Sequence, residues 1–166
     1  MAFNAQEFLN KTVGAGMSTS VKPCPEGEWT AMISTKIPVV EWFDEAEWRD
    51  RKTHETKTQP TVKVPIEITD DRARALMNRE TILVNYDSFM DVLPNGHLDT
   101  GEDKNVRIGA LRAALGQDHD PAWSFEKLFG AGPLMVKVVH ERGKKEGKVD
   151  PDSPPYAKIS RVSRIR

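Results

Sequence analysis

The stretch Asn105-Val106-Arg107-Ile108-Gly109-Ala110-Leu111-Arg112-Ala113-Ala114-Leu115 decides the fold of this chain. Its apolar residues recur at spacings of three and four, which predicts an amphipathic helix. Asp103 can cap the start of this helix, and Gly116 stands where a left-handed residue commonly ends one. The helix lies between three strand-like segments and two more, so the predicted order is three strands, a helix and two strands.

The five strand-like segments show alternating apolar and polar residues, the pattern of half-buried strands. They are 28–34, 61–68 and 81–86 before the helix, and 134–140 and 156–162 after it. The connecting segments predict a long polar loop or a splayed hairpin tip at 44–60, a short helical or turn insertion with a cap at 70–78, and a Lys-, Gly- and Pro-rich loop at 141–155.

Five strands of this length leave exposed edges if their sheet stays open, and a helix after the third strand can plug a barrel that closes. We therefore predict a mainly β protein with a five-stranded barrel like the oligonucleotide-binding (OB) fold and a helix between strands 3 and 4. Other small barrels and mixed α+β sheets share this linear order. Residues 1–25 are predicted to form an N-terminal arm, and residues 26–166 the barrel domain.

Composition is consistent with one domain, since the chain has 166 residues of which 38% are hydrophobic. The single cysteine, Cys24, cannot form an internal disulfide, which favours a reducing compartment. No stretch approaches the roughly 20 apolar residues of a membrane span, and the start lacks the pattern of a signal peptide. We expect a soluble protein of the cytoplasm, or of the host cytoplasm if the chain is viral.

Charge is balanced over the whole chain but unevenly distributed. Lys and Arg number 24 against 25 Asp and Glu, yet the segment from His140 to the end holds eight basic and four acidic residues. Single-strand binders need cations that follow the phosphates and flat rings on which bases stack. The predicted nucleic-acid-binding residues are Trp42, Trp48, Arg49, Arg51, Lys52, Lys57, Tyr86, Arg142, Lys144, Lys145, Lys148, Lys158 and Arg161.

Simpler explanations exist for these residues. A charge-rich loop is often only solvated, and residues 44–59 also hold five acidic side chains. An aromatic residue on a strand belongs more often to the core than to a binding surface, and Trp29 and Trp123 are predicted core residues. Enzymatic signatures are absent from the sequence: the four histidines lack ligand-like spacing, and there is no phosphate loop, HExxH motif or nucleophile elbow. We predict no enzyme, no cofactor and no metal.

Four segments carry a resemblance to known proteins: Met1–Leu9, Pro25–Ala31, Lys104–Gln117 and Tyr156–Ile159. Together they make the chain similar to a diverse group of bacteriophage early proteins with an OB-like fold, which bind single-stranded DNA or are related to such binders. The resemblance implies a role in DNA replication or recombination, with single-stranded DNA and the proteins of those processes as partners. One departure is the basic end, Arg161 to Arg166, where many single-strand binders have an acidic recruiting tail.

Two other functions remain open at this point. The chain could be a structural or interaction protein of a phage particle or complex, in which the arm docks on a neighbouring subunit or on a second copy of the chain. The apolar residues Phe3, Phe8 and Leu9 ahead of a Gly/Ser-rich linker favour this alternative. A nuclease-like enzyme is the third alternative, and no residue of the sequence points to it directly.

Overall fold

The secondary structure of this chain is mainly β, as the sequence predicts. The computed structural model describes residues 3–12, 14–16 and 22–166. Its helices are α1 (Ala5–Leu9), α2 (Asp71–Met77) and α3 (Val106–Ala114). Its strands are β1 (Gly27–Ile33), β2 (Phe43–Arg49), β3 (Thr56–Ile68), β4 (Leu83–Phe89), β5 (Leu134–Glu141), β6 (Lys144–Lys145), β7 (Lys148–Val149) and β8 (Tyr156–Ser163).

Six strands of the described chain form one antiparallel sheet around the long strand β3. One edge of β3 pairs with β2 and β1, and the other edge pairs with β4. β1 also pairs with β5, and β5 with β8, whereas β6 and β7 form a separate small hairpin. Of the two alternatives for residues 44–60, the hairpin is confirmed: Trp48 on β2 stands opposite Lys57 on β3.

The core lies between the inner face of this sheet and α3. Alternate residues of the strands point inward, so that Ile33, Ile66 and Val136 are almost fully buried. Helix α3 adds Ile108 and Leu111, which confirms the amphipathic helix between the third and fourth predicted strands. Burial of these branched side chains, at about 1.5–3 kcal/mol each, is the main stabilising contribution.

The start of α3 differs from the prediction, because Asn105 and not Asp103 is the N-cap residue. Asn105 has a left-handed backbone (φ 50°), and its side chain makes no capping bond to the helix. Its amide group instead binds the loop before the helix: Oδ1 accepts from Asp91 N at 2.9 Å, and Nδ2 donates to Asp91 O at 2.8 Å and to Asp99 O at 2.9 Å. The predicted left-handed position at Gly116 is confirmed (φ 71°).

The first 25 residues begin with α1, in which no residue is buried, and end with a segment attached to the sheet. Lys22 Nζ donates to Leu76 O at 3.1 Å, and His140 Nε2 lies 2.7 Å from Cys24 O. Cys24 itself is buried, and burial raises the pKa of its thiol to about 11. Residues 1–2, 13 and 17–21 of the predicted arm lie outside the described residues.

The closed barrel is not shown, because no backbone ladder joins β4 to β8 in the described chain. These two strands nevertheless lie side by side, with Cα atoms within 8 Å of each other. Arg107 on α3 spans the gap between them: Nε donates to Asp87 O of β4 at 2.9 Å, and Nη2 donates to Ile159 O of β8 at 3.2 Å. Its guanidinium carbon lies 4.2 Å from the Tyr86 ring centroid.

A membrane-spanning helix is not found in the described part of the chain, where no helix is long and apolar enough.

Replacing Arg107 by Lys should loosen both strands that face the gap. A lysine keeps the charge but has one nitrogen and no planar fork, so it cannot bond to both carbonyls while stacking on Tyr86. We expect faster amide hydrogen exchange in β4 and β8, measured by mass spectrometry. The matched control is Arg112→Lys, because Arg112 also lies on α3, donates to two carbonyls (Gln117 O and Asp120 O) and covers a ring, that of Trp123. Equal exchange of β4 and β8 in both variants would contradict the bridging role.

Candidate nucleic-acid interface

A groove of about 990 Å³ crosses the outer face of β3 and β4 and enters the gap between β4 and β8. It forms there because the same alternation that buries one face of these strands turns the other face outward. Its walls are residues 44–46 of β2, the end of α2 with Arg79, residues 22–24, and residues 155–158 at the start of β8. Ligand sites in proteins commonly have volumes of about 300–1,000 Å³, so the groove is large enough for several ring-sized groups.

Two exposed aromatic rings line this groove, Phe89 at the end of β4 and Tyr156 at the start of β8. Their exposed fractions, 53% and 47%, leave a ring face accessible for stacking. Trp48, exposed to 40%, is two residues beyond Ala46 on β2 and therefore faces the same side of the sheet, just outside the groove lining.

Sequence reasoning missed both Phe89 and Tyr156. For Phe89 a signal exists: Val84 and Tyr86 alternate with the polar residues Asn85 and Asp87, and continuing that alternation places residue 89 on the outer face. The predicted strand stops at Tyr86, whereas β4 continues to Phe89. For Tyr156 the same signal exists, because Ala157 and Ile159 alternate with Lys158 and so place residue 156 on the outer face with Lys158.

Charged side chains of both signs line the groove. Five are basic (Lys22, Lys63, Arg79, Arg107 and Lys158), and three are acidic (Asp44, Glu45 and Asp87) among the described lining residues. Asp44 and Glu45 both belong to the β2 wall, whereas Lys22 and Arg79 belong to the wall near α2. The positive excess is therefore modest overall and largest away from β2.

Arg107 is the best-held cation of the groove. Two backbone carbonyls and the Tyr86 ring fix its guanidinium group. Little side-chain entropy is therefore lost when an anion binds it.

Trp42 and Tyr86 were predicted to bind nucleic acid, and this is wrong. Trp42 is 2% exposed and donates from its indole nitrogen to Ile37 O, and Tyr86 is 3% exposed and donates from its hydroxyl to Arg107 O. Burial also raises the pKa of Tyr86. Both rings are part of the core, and a ring without an exposed face cannot stack on a base.

The predicted basic residues of the β2–β3 hairpin lie outside the groove lining. Arg49 Nε donates to His54 O at 3.2 Å, and Lys57 forms a 3.2 Å ion pair with Asp50 while lying 5.6 Å from the Trp48 ring centroid. Backbone N–H groups of residues 52 and 53 are the main cause of the lowered Asp50 pKa. Arg51 and Lys52 are exposed at the tip.

The predicted basic residues of the 141–155 loop are also outside the groove lining. Arg142 Nη1 donates to Ser153 O at 2.6 Å and so holds its own loop together. Lys144, Lys145 and Lys148 are exposed on the small β6–β7 hairpin. The groove lies on the sheet itself, and nucleic-acid binding by the basic residues of this loop stays a prediction.

Of the predicted site residues, all within the described chain, only Lys158 lines the groove. Its Nζ lies 3.3 Å from Glu141 Oε1, and Tyr156 donates its hydroxyl to Glu141 Oε2 at 3.2 Å. The bond from Lys158 is the main cause of the lowered Glu141 pKa. Loss of hydration, and secondarily Glu141, raise the pKa of Tyr156. Glu141 therefore competes with any bound anion for Lys158.

Arg161, the last predicted site residue, forms a 2.7 Å ion pair with Glu28 across the sheet. It lies further along β8, outside this groove, in a second and smaller depression.

The described residues contain no group of three or more His, Cys, Asp or Glu side chains placed to hold a metal ion. No protein-family model matches the chain, and comparisons with curated proteins and with solved structures return no significant match. The resemblance to phage proteins and the predicted lack of catalysis therefore stay predictions.

Proposed function

We propose that this protein is a non-enzymatic single-stranded DNA-binding protein in which the sheet acts as an OB-like barrel and the DNA lies in the groove over β3 and β4. The observation that carries the proposal is the groove itself. It combines exposed rings with an excess of cations on one surface, which is the combination that single-strand binders use.

The order of the strands supports the barrel part of the proposal. If β1 and β2 count as one bent strand, the sheet reads β4, β3, β1/β2, β5, β8, and its two end strands lie side by side with Arg107 between them. In an OB barrel the second and third strands provide the binding face. Here β3 and β4 hold those two places, and the groove crosses both.

In this proposal bases stack on Phe89 and Tyr156, and phosphates lie near Lys63, Arg79 and Arg107. Each stacked base contributes about 1–3 kcal/mol, and each neutralised phosphate adds a salt-dependent contribution. We further propose a role in phage DNA replication or recombination, in the cytoplasm of the host.

A titration of labelled oligo(dT), followed by fluorescence anisotropy at low and moderate salt, tests this function. We expect micromolar or tighter binding that weakens as salt is added. Phe89→Ala and Tyr156→Ala should each weaken binding by roughly 5- to 150-fold, the equivalent of one lost stacking contact of about 1–3 kcal/mol.

Two control variants make this titration specific. Tyr156→Phe keeps the ring and loses only the bond to Glu141, so it should bind nearly as well as the original protein. Val40→Ala shortens another exposed apolar side chain, one outside the groove lining, and should change nothing. No binding of oligo(dT) at low salt, or equal losses in all four variants, would rule out the groove as a DNA site.

Replacing Glu141 by Gln should increase DNA affinity. The change removes the carboxylate that holds Lys158 and leaves the lysine free to bind a phosphate. We expect tighter oligo(dT) binding with a steeper salt dependence, by a slope of about 0.7 for one more phosphate contact. Glu146→Gln, on the loop between β6 and β7, is the matched control because it removes the same charge outside the groove lining. Unchanged or weaker binding by Glu141→Gln would contradict the competition.

A second candidate function, protein interaction through the arm, is favoured by the exposure of α1. Phe3, Phe8 and Leu9 are 75%, 59% and 75% exposed, and the two phenylalanine rings contact only each other at 5.2 Å among the aromatic pairs described. Light scattering tests it: the full chain should form a larger assembly than a variant lacking residues 1–16. Identical masses for the two proteins would remove self-association as a function of the arm.

A further inference from the structure

Strand β8 contains an irregularity that changes which side chains face outward. Val138 on β5 pairs with Ile159, but the preceding residue Lys137 pairs with Arg161, so Ser160 is an extra residue in β8. The Ser160 hydroxyl donates to Lys137 O at 3.3 Å. A β-bulge of this kind reverses the alternation of a strand from that point on.

The reversal keeps basic residues on one face. Tyr156 and Lys158 face outward before the bulge, because Ile159 is buried. Strict alternation would then turn Arg161 inward, into the core. With Ser160 inserted, Val162 is the buried residue and Arg161 faces outward with Lys158. The outer face of β8 is therefore a continuous row of polar side chains along its whole length.

The far end of this row enters a second depression, of about 270 Å³. Its described lining contains three arginines, Arg161, Arg164 and Arg166, and a single carboxylate, that of Glu28. Arg161 is paired with Glu28, and Arg164 is oriented by Ala113 O at 2.8 Å and more weakly by Asp118 Oδ1 at 3.5 Å. The lining residues carry three guanidinium groups and one side-chain carboxylate, so the net charge of the depression favours a bound anion.

The two depressions are neighbours along the strand. Lys158 lines the groove and Arg161 lines the second depression, three residues further on, which is about 10 Å in an extended strand. We propose that Arg161, Arg164 and Arg166 form a phosphate subsite that holds the backbone of the same DNA strand after it leaves the groove along β8. This inference rests on the proposed function, and it adds a second phosphate-binding site and the path of the DNA strand along β8.

The chemistry of the subsite is recognition of a phosphate group by guanidinium donors, and the phosphate can come from a DNA strand or from free inorganic phosphate. A strand that fills both depressions must be longer than one that fills the groove alone. OB-fold sites cover about 4–16 nucleotides, so the two lengths are accessible to a simple series of oligomers.

The experiment compares oligo(dT) of about 5 and about 15 nucleotides on the full chain and on the double variant Arg161→Gln/Arg166→Gln. Both side chains are exposed, so the variant should fold, which circular dichroism verifies. We expect the long oligomer to lose about threefold or more in affinity, with a salt slope reduced by about 0.7–1.4 for the loss of one or two phosphate contacts, and the short oligomer to bind as before. The control variant Lys11→Gln/Lys104→Gln removes two charges outside both linings and should bind both lengths normally.

Each result has a distinct meaning. Equal losses for both lengths, or no loss for either, would overturn the subsite while leaving DNA binding in place. No binding of either length by the original protein would overturn the proposed function and the subsite with it. A third measurement distinguishes the source of the phosphate: tight binding of inorganic phosphate in calorimetry, abolished in the double variant without any effect on the long oligomer, would assign the arginines to a free anion and overturn the strand path.

Discussion

Two strands, β4 and β8, lie side by side without a backbone ladder between them. The rest of the structure depends on what connects these two strands. Edge strands carry N–H and C=O groups that need partners. Arg107 supplies part of what is missing, bonding to Asp87 O on one strand and Ile159 O on the other while resting on the Tyr86 ring. Full pairing would narrow the groove that enters the same gap, so a side-chain bridge holds the strands together and leaves an accessible cation at the groove.

Local signals of the sequence were sufficient for much of this fold. The spacing of Ile108 and Leu111 predicts α3, and the alternation around Trp29 and Val136 predicts β1 and β5. What local signals do not contain is the pairing between distant segments. The charges of residues 44–60 leave a loop and a hairpin as equal alternatives until β2 is seen to pair with β3, and the bulge at Ser160 depends on the register between β5 and β8. The missing ladder between β4 and β8 is likewise a long-range property.

The site was harder to predict than the fold, because the number of charged residues in a segment does not show which of them form ion pairs. Lys57, Lys158 and Arg161 are predicted nucleic-acid-binding residues, yet each forms an ion pair with a carboxylate. Tyr86 is a different kind of error: its alternation with Val84 places it inside, and the same alternation exposes Phe89. Lys63 and Arg79 do line the groove. They lie outside the charge-rich segments 44–60 and 141–155, which contain most of the predicted basic site residues.

The mixed charge of the groove favours stacking over counterion release as the source of affinity. Each paired lysine or arginine must exchange a carboxylate for a phosphate, and that exchange yields much less free energy than the neutralisation of an unpaired cation. Phe89 and Tyr156 face no such competition for their exposed ring faces. Because Asp44 and Glu45 lie on the β2 wall, they would repel phosphates there, and in the proposed complex we expect the DNA strand to be held most firmly toward α2 and β8. Arg161, Arg164 and Arg166 extend the positive charge beyond Lys158. The bulge at Ser160 contributes to this, because it keeps Arg161 on the outer face of β8.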